Sequence, residues 1–227
     1  MSEKSDNVAE ARARANALRE SLPQSVDIRA LGVRSKAPFQ LLCTREALIW
    51  RTEELARTAC DTLEHDDLAA AAILTRAVTE NAAMAWGLLD VLETRSKYDP
   101  QQLNDALIRL LAGSKLWPES PKPVHVNDLL RKIDKTITGV MAGYDRLSDF
   151  THPNWSGVAG LYSKIDKENY VTNFGRGLRD TTSTRDMIAN ALLGSLLTFE
   201  HAYNRISDLM PAFLSEMESL WPDEAEV

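Results

Sequence analysis

Apolar residues recur along most of this chain at the three-and-four spacing of helices buried along one side. Val8, Ala11, Ala15, Leu18 and Leu22 form a narrow seam, and Pro23 ends it. The seam predicts an amphipathic helix over residues 1–22, packed on the body or on a partner subunit. From Pro38 to Glu64 the stripe widens into two rows: Leu42, Ile49, Ala56 and Leu63, then Leu41, Leu48, Leu55 and Ala59. A helix with so wide a stripe is well buried. His65-Asp66-Asp67 interrupts it, and Asp66 or Asp67 is placed to cap the next helix. That helix, Leu68 to Glu93, is apolar nearly all round and is expected at the centre of the fold.

Asp99 as N-cap, Pro100 at the first helical position and Gly113 at the end outline a further helix. A loop with three prolines follows. Helical spacing resumes from Val126 to His152, with irregularity expected at Gly139 and Gly143. It stops there because the residue before Pro153 disfavours the α region. Val158, Leu161 and Ile165, then Tyr170, Val171 and Phe174, flank an Asp-Lys-Glu-Asn turn, the pattern of a short hairpin within residues 157–175. The last segment repeats Leu192, Leu196, Phe199, Tyr203, Ile206, Met210, Phe213, Met217 and Leu220. So narrow a seam suits one long partner helix, within the chain or across a dimer. Pro211 is expected to kink or split it, and the acidic "PDEAEV" tail to fray. The predicted fold class is all-α: one helical-bundle domain over residues 1–227 with a small β-hairpin inserted before the last long helix.

Composition narrows the function. The 227 residues are 44% hydrophobic and 26% charged, enough for one sizeable core. A net charge of −7 argues against a general phosphate-binding surface, but leaves room for a local basic site built from two subunits. Cys43 and Cys60 fall on one predicted helix, too far apart for a mutual disulfide. They read as reduced thiols. With a charged N-terminus that shows no signal peptide, this predicts a cytoplasmic protein. The most apolar stretch contains Arg76, Glu80, Asn81 and Asp90, which makes it a core helix and no membrane span. His65, His125, His152 and His201 show no ligand spacing, so neither metal nor cofactor is expected. No phosphate-loop, dinucleotide or zinc-protease pattern is present.

Polar chemistry concentrates in "YDRLSDFTHPNWSG", Tyr144 to Gly157. Tyr144, Ser148 and Thr151 share one helix face; Arg146 and Asp149 share a neighbouring one. His152 falls at the helix end, where exposed carbonyls favour an imidazolium. A His that moves a proton beside an Arg that stabilises phosphorane-like charge suits metal-free cleavage of a phosphodiester. A structural reading competes. In it the His152 ring bonds local carbonyls, Pro153-Asn154 forms a stop turn and Trp155 plugs the bundle. Arg76 and Glu80, four apart on the central helix, are expected as a buried ion pair or as the lining of a pocket. Arg45, Glu46 and Arg51 read most simply as a solvated face. A hydrolase with a Ser148/Asp149/His152 triad is a distant third reading, because one helical turn cannot aim all three groups in series.

"RLSDFTH", Arg146 to His152, resembles the Arg-x(4–6)-His signature of the HEPN superfamily. "LTRAVTENAA" followed later by "YDRLSDFTHPN" is similar to bacterial HEPN-like bundles with an Arg-x-x-x-Glu core helix. The resemblance covers about Phe39 to Phe174. It implies a metal-independent endoribonuclease, a toxin or phage-defence effector, acting on RNA as a homodimer. Arg146 and His152 would be the catalytic pair at a composite cleft. Arg76, Glu80, Tyr144, Ser148, Asp149 and Asn154 would form the supporting polar cluster. Active members often carry a polar residue directly after the Arg, where this chain has Leu147. The alternative is a non-catalytic helical module that binds a protein partner or a small ligand.

Overall fold

Five helices lean on one central helix. In a computed structural model that describes residues 7–220, α3 (Leu68–Glu93) is bordered by α2 (Ala37–Glu64), α4 (Pro100–Ala112), α5 (Val126–Asp134), α6 (Val140–Thr151) and α8 (Thr182–Ser219). Its buried residues face several directions: Ala71, Val78, Ala82, Ala85, Leu88 and Leu92. The many alanines let neighbouring helices approach closely while still removing apolar surface from water. The result is the all-α bundle expected from the periodicity.

The N-terminal helix α1 (Asn7–Glu20) packs on α2 and α8 of its own chain, burying Val8, Ala11, Ala15 and Leu18. Arg12 reaches Asp61 of α2 at 2.6 Å, and Arg14 reaches Glu200 of α8 at 2.7 Å. The seam of α8 is likewise satisfied within the chain, mainly along α3. Phe199, Ile206 and Phe213 are fully buried, whereas Leu220 is exposed. Residues 1–6 and the acidic tail lie outside the described residues.

Four expectations need correction. First, α8 is not split at Pro211. Pro211 sits on the exposed face, where water can satisfy the carbonyl it leaves without a donor, while buried Met210, Phe213 and Met217 hold both flanks. Second, the expected long helix from Val126 is two. Gly139 takes φ +101° between α5 and α6, a conformation that L-residues avoid. Asp134 caps the restart, its carboxylate accepting from the amides of Gly139 at 3.0 Å and Met141 at 3.1 Å. Gly143 lies inside α6 without interrupting it. Third, the hairpin is shorter than its apolar pattern. Strands β1 (Ser163–Asp166) and β2 (Val171–Phe174) pair antiparallel, Ser163 opposite Phe174 and Asp166 opposite Val171. Val158 precedes, and Leu161 lies within, the one-turn helix α7 (Ala159–Tyr162). Fourth, Asp67 occupies the N-cap position of α3 but makes no side-chain cap; its carboxylate pairs with Arg176. Asp99 does form a reciprocal capping box with Gln102, with bonds of 2.8 and 3.1 Å.

No helix among the described residues is long and apolar enough to cross a membrane.

Candidate functional site

Helix α6 carries the chemistry-bearing segment and lies between the core and solvent. Tyr144 and Leu147 are buried against the bundle, Leu147 completely. This accounts for an apolar residue after Arg146: the position is part of the core. Arg146 is exposed on the other side of the helix. It lines an open cleft of about 560 Å3 with Asp149, Phe150 and the first turns of α8.

The helix ends as Pro153 predicts. His152 is the C-cap, with extended backbone, and its amide donates to Ser148 O at 3.2 Å. Asn154 forms the stop turn. Its amide donates to His152 O, its side-chain oxygen accepts from Gly157 N at 3.0 Å, and its side-chain nitrogen bonds Asp149. The rest of the structural reading fails. Among the described residues the His152 ring has no hydrogen-bond partner, and the residue is exposed. Trp155 plugs nothing, being 66% exposed.

Tyr144 links α6 to the core helix. Its hydroxyl accepts from Arg76 at 2.6 Å and donates to Glu80 at 2.8 Å, while Arg76 and Glu80 pair directly at 3.2 Å. The guanidinium also lies 4.9 Å from the Tyr144 ring centroid. Arg76 and Glu80 are only half-buried, so the pair is a partly wet network and not the buried one expected. Burial, and then the Glu80 carboxylate, raise the Tyr144 pKa above the usual phenol value. Ser148 and Thr151 spend their hydroxyl protons on the helix carbonyls of Tyr144 and Leu147, at 2.8 and 2.7 Å. Ser148 is thus committed away from His152.

Arg146 and His152 do not share a face. Six residues advance an ideal helix by about 9 Å and turn it by about 240°. Neither side chain makes a hydrogen bond or ion pair among the described residues. Both face solvent, uncommitted, Arg146 in the middle of α6 and His152 at its C-terminal end.

Beyond His152 stand three exposed aromatic side chains that periodicity did not assign to function. Trp155, Tyr170 and Phe174 are all more than half exposed, with Tyr170 at 95%. Tyr170 takes φ +55° at the end of the hairpin turn. Asp166 organises that turn, accepting from the amides of Glu168 and Asn169; the Asn169 side chain holds its carboxyl below the usual range. Arg179 joins the parts, donating to Ser163 O at 2.6 Å and lying 5.6 Å from the Trp155 ring. Exposed Lys164 and Lys167 sit on the same hairpin.

Two polar layers lie elsewhere. Arg45 and Glu46 form no solvated face. They pair with each other and enclose Tyr203 of α8, whose hydroxyl donates to Glu46 at 2.6 Å. The Arg45 guanidinium is 3.5 Å from the Tyr203 ring centroid. Burial pushes the Tyr203 pKa up strongly. Arg51 bonds Asn81, which in turn donates to Thr52 at 3.1 Å. Sequence spacing could not reveal these layers, because their partners are distant along the chain. Among the described residues no three His, Cys, Asp or Glu side chains converge as a metal-holding group. Comparison with family models, curated proteins and solved structures finds no match.

Proposed function

We propose that this protein is a HEPN-like, metal-independent endoribonuclease whose site is completed between two copies of the chain. The observation that carries the reading is the state of His152: exposed, at a helix C-terminus, with its ring nitrogens uncommitted among the described residues. A histidine serving only as a brace would be buried or bonded. Arg146 is similarly uncommitted and opens on a cleft. One copy turns the two side chains apart around α6, so a second copy is needed to bring an Arg146 to a His152.

The chemistry follows from the two groups. The ribose 2′-oxygen attacks the adjacent phosphorus, and the bond to the 5′-oxygen breaks. His152 moves the proton between these oxygens, and Arg146 offsets the charge that builds on the phosphoryl oxygens. The exposed Trp155, Tyr170 and Phe174, with Lys164 and Lys167, supply ring faces and positive charge suited to unstacked bases. The net charge of −7 favours slow or selective attack over tight general binding.

The test is cleavage of RNA in EDTA by the full chain, His152→Ala, Arg146→Ala and an equal mixture of the two variants. Loss in each variant is expected, with recovery of roughly a quarter of the activity in the mixture if subunits exchange, because half the dimers are mixed and carry one intact site. DNA of the same sequence, lacking the 2′-hydroxyl, should survive. No cleavage by the parent chain, or equal cleavage by all forms, sinks the catalytic reading.

A further inference from the structure

Helices α3, α6 and α8 do not close completely on one another. Between them lies a cavity of about 220 Å3, on the side of α6 away from Arg146. Its inner wall is buried and includes Thr79, Ala82, Leu147, Ser195 and Thr198. Its mouth is formed by exposed residues such as Thr138, Asn190 and Gly194. Among the described residues no charged side chain lines it.

Two independent features show what the space selects. The first is its glycines. Gly143 and Gly194 lie within helices, where glycine is a weaker former than alanine. A Cβ added to either would meet nothing within 4 Å. Close packing therefore does not require them, and what they supply is room. The second is the direction of the hydroxyl protons. Thr79 Oγ1 donates to Thr75 O at 3.0 Å, so in its 2.8 Å contact with Ser195 Oγ the serine is the donor. Thr198 Oγ1 donates to Gly194 O at 2.8 Å. Ser195, only 7% exposed, and Thr198, 8%, have both spent their protons and offer the cavity lone pairs alone. Such a wall rewards a ligand that brings its own hydrogen.

We infer that this cavity is a binding site for a neutral, compact ring compound carrying one N–H or O–H donor, held by Ser195 and Thr198 between α6 and α8. A dry cavity of about 150 Å3 accommodates benzene, so this one suits a bicyclic ring or a substituted single ring. Charged ligands are excluded by the uncharged lining, which would leave them desolvated and unpaired. The inference does not depend on ribonuclease activity, since the cavity and the Arg146 cleft lie on different faces of α6.

The experiment measures binding to the full chain by calorimetry and thermal shift, with indole and 1-methylindole as probes. Indole should bind and raise the melting temperature. 1-Methylindole, which lacks the N–H, should bind about fivefold more weakly. Gly194→Leu should fold and lose the indole response by filling the mouth. Gly143→Ala, a gentler change, should weaken binding without harming the fold. Ser195→Ala should narrow the difference between the two probes. No response to indole at millimolar concentration overturns the site, as does an unchanged response in both glycine variants. Equal binding of the two probes to the parent chain overturns the donor requirement.

Discussion

Tyr144 on α6 donates its phenolic hydrogen to Glu80 on α3 at 2.8 Å, tying the helix of the candidate site to the centre of the bundle. The same oxygen accepts from Arg76, so Tyr144→Phe removes two charge-assisted hydrogen bonds at once. Because the Arg76–Glu80 pair survives and is partly wet, the expected loss is modest, about 1–2 kcal/mol. Urea unfolding of the two proteins checks it. A double-mutant cycle with Glu80→Gln should show coupling; strict additivity would mean that the network is not energetically real.

The candidate catalytic residues and their buried neighbour should part company in stability. Arg146→Ala and His152→Ala touch exposed, uncommitted side chains and should change stability by less than about 0.5 kcal/mol. Leu147→Ala removes a fully buried apolar side chain and should cost about 3 kcal/mol. Chemical denaturation of the three variants measures this.

Gly143 and Gly194, inside α6 and α8, should respond in the opposite direction to Gly139, which precedes α6. Gly143→Ala and Gly194→Ala lie in helices with open space around the new methyl group, so each should stabilise by about 0.5–1 kcal/mol. Gly139→Ala forces an L-residue to φ +101° and should destabilise by about 1–2 kcal/mol. Melting temperatures of the three variants give the comparison.

Burial pushes the Cys60 thiol from an ordinary value of 9.0 up to about 11. The folded chain therefore holds its proton more tightly than the unfolded chain. The associated stability is fully present below pH 9 and is lost as pH rises through about 11, on the order of 2 kcal/mol for so large a shift. Cys60→Ala lacks this dependence. The stability difference between parent and variant, followed from pH 8 to pH 11, should shrink by that amount. A constant difference would show that the thiol titrates normally.

Most of the bundle was readable because its helices carry long, self-consistent apolar patterns. Ala11, Ala15 and Leu18 announced α1, and Asp99 with Pro100 announced α4. Misreadings arose where one residue had to be weighed against its surroundings. Pro211 alone argues for a break, yet buried Phe213 and Met217 carry the helix through it. Gly139 and Gly143 look alike in sequence, but only Gly139 follows Asp134 at the distance that lets a carboxylate cap the restart. At the candidate site, the helix end at His152 was legible and its exposure was not. Tyr203 could not be paired with Arg45, nor Ser195 with Thr79, because nothing local marks residues brought together from distant parts of the chain.

The last long helix covers the central one, and this sets an order of events during synthesis. Helix α3 is complete at Glu93, while α8, its principal cover, is finished only at Ser219. At typical elongation rates the roughly 125 intervening residues take about 6–25 seconds to make. Through that interval a helix apolar nearly all round lacks its largest neighbour. A nascent chain of this kind is a natural client for a holding chaperone, and its solubility in the cell should depend on how promptly its C-terminal segment is delivered.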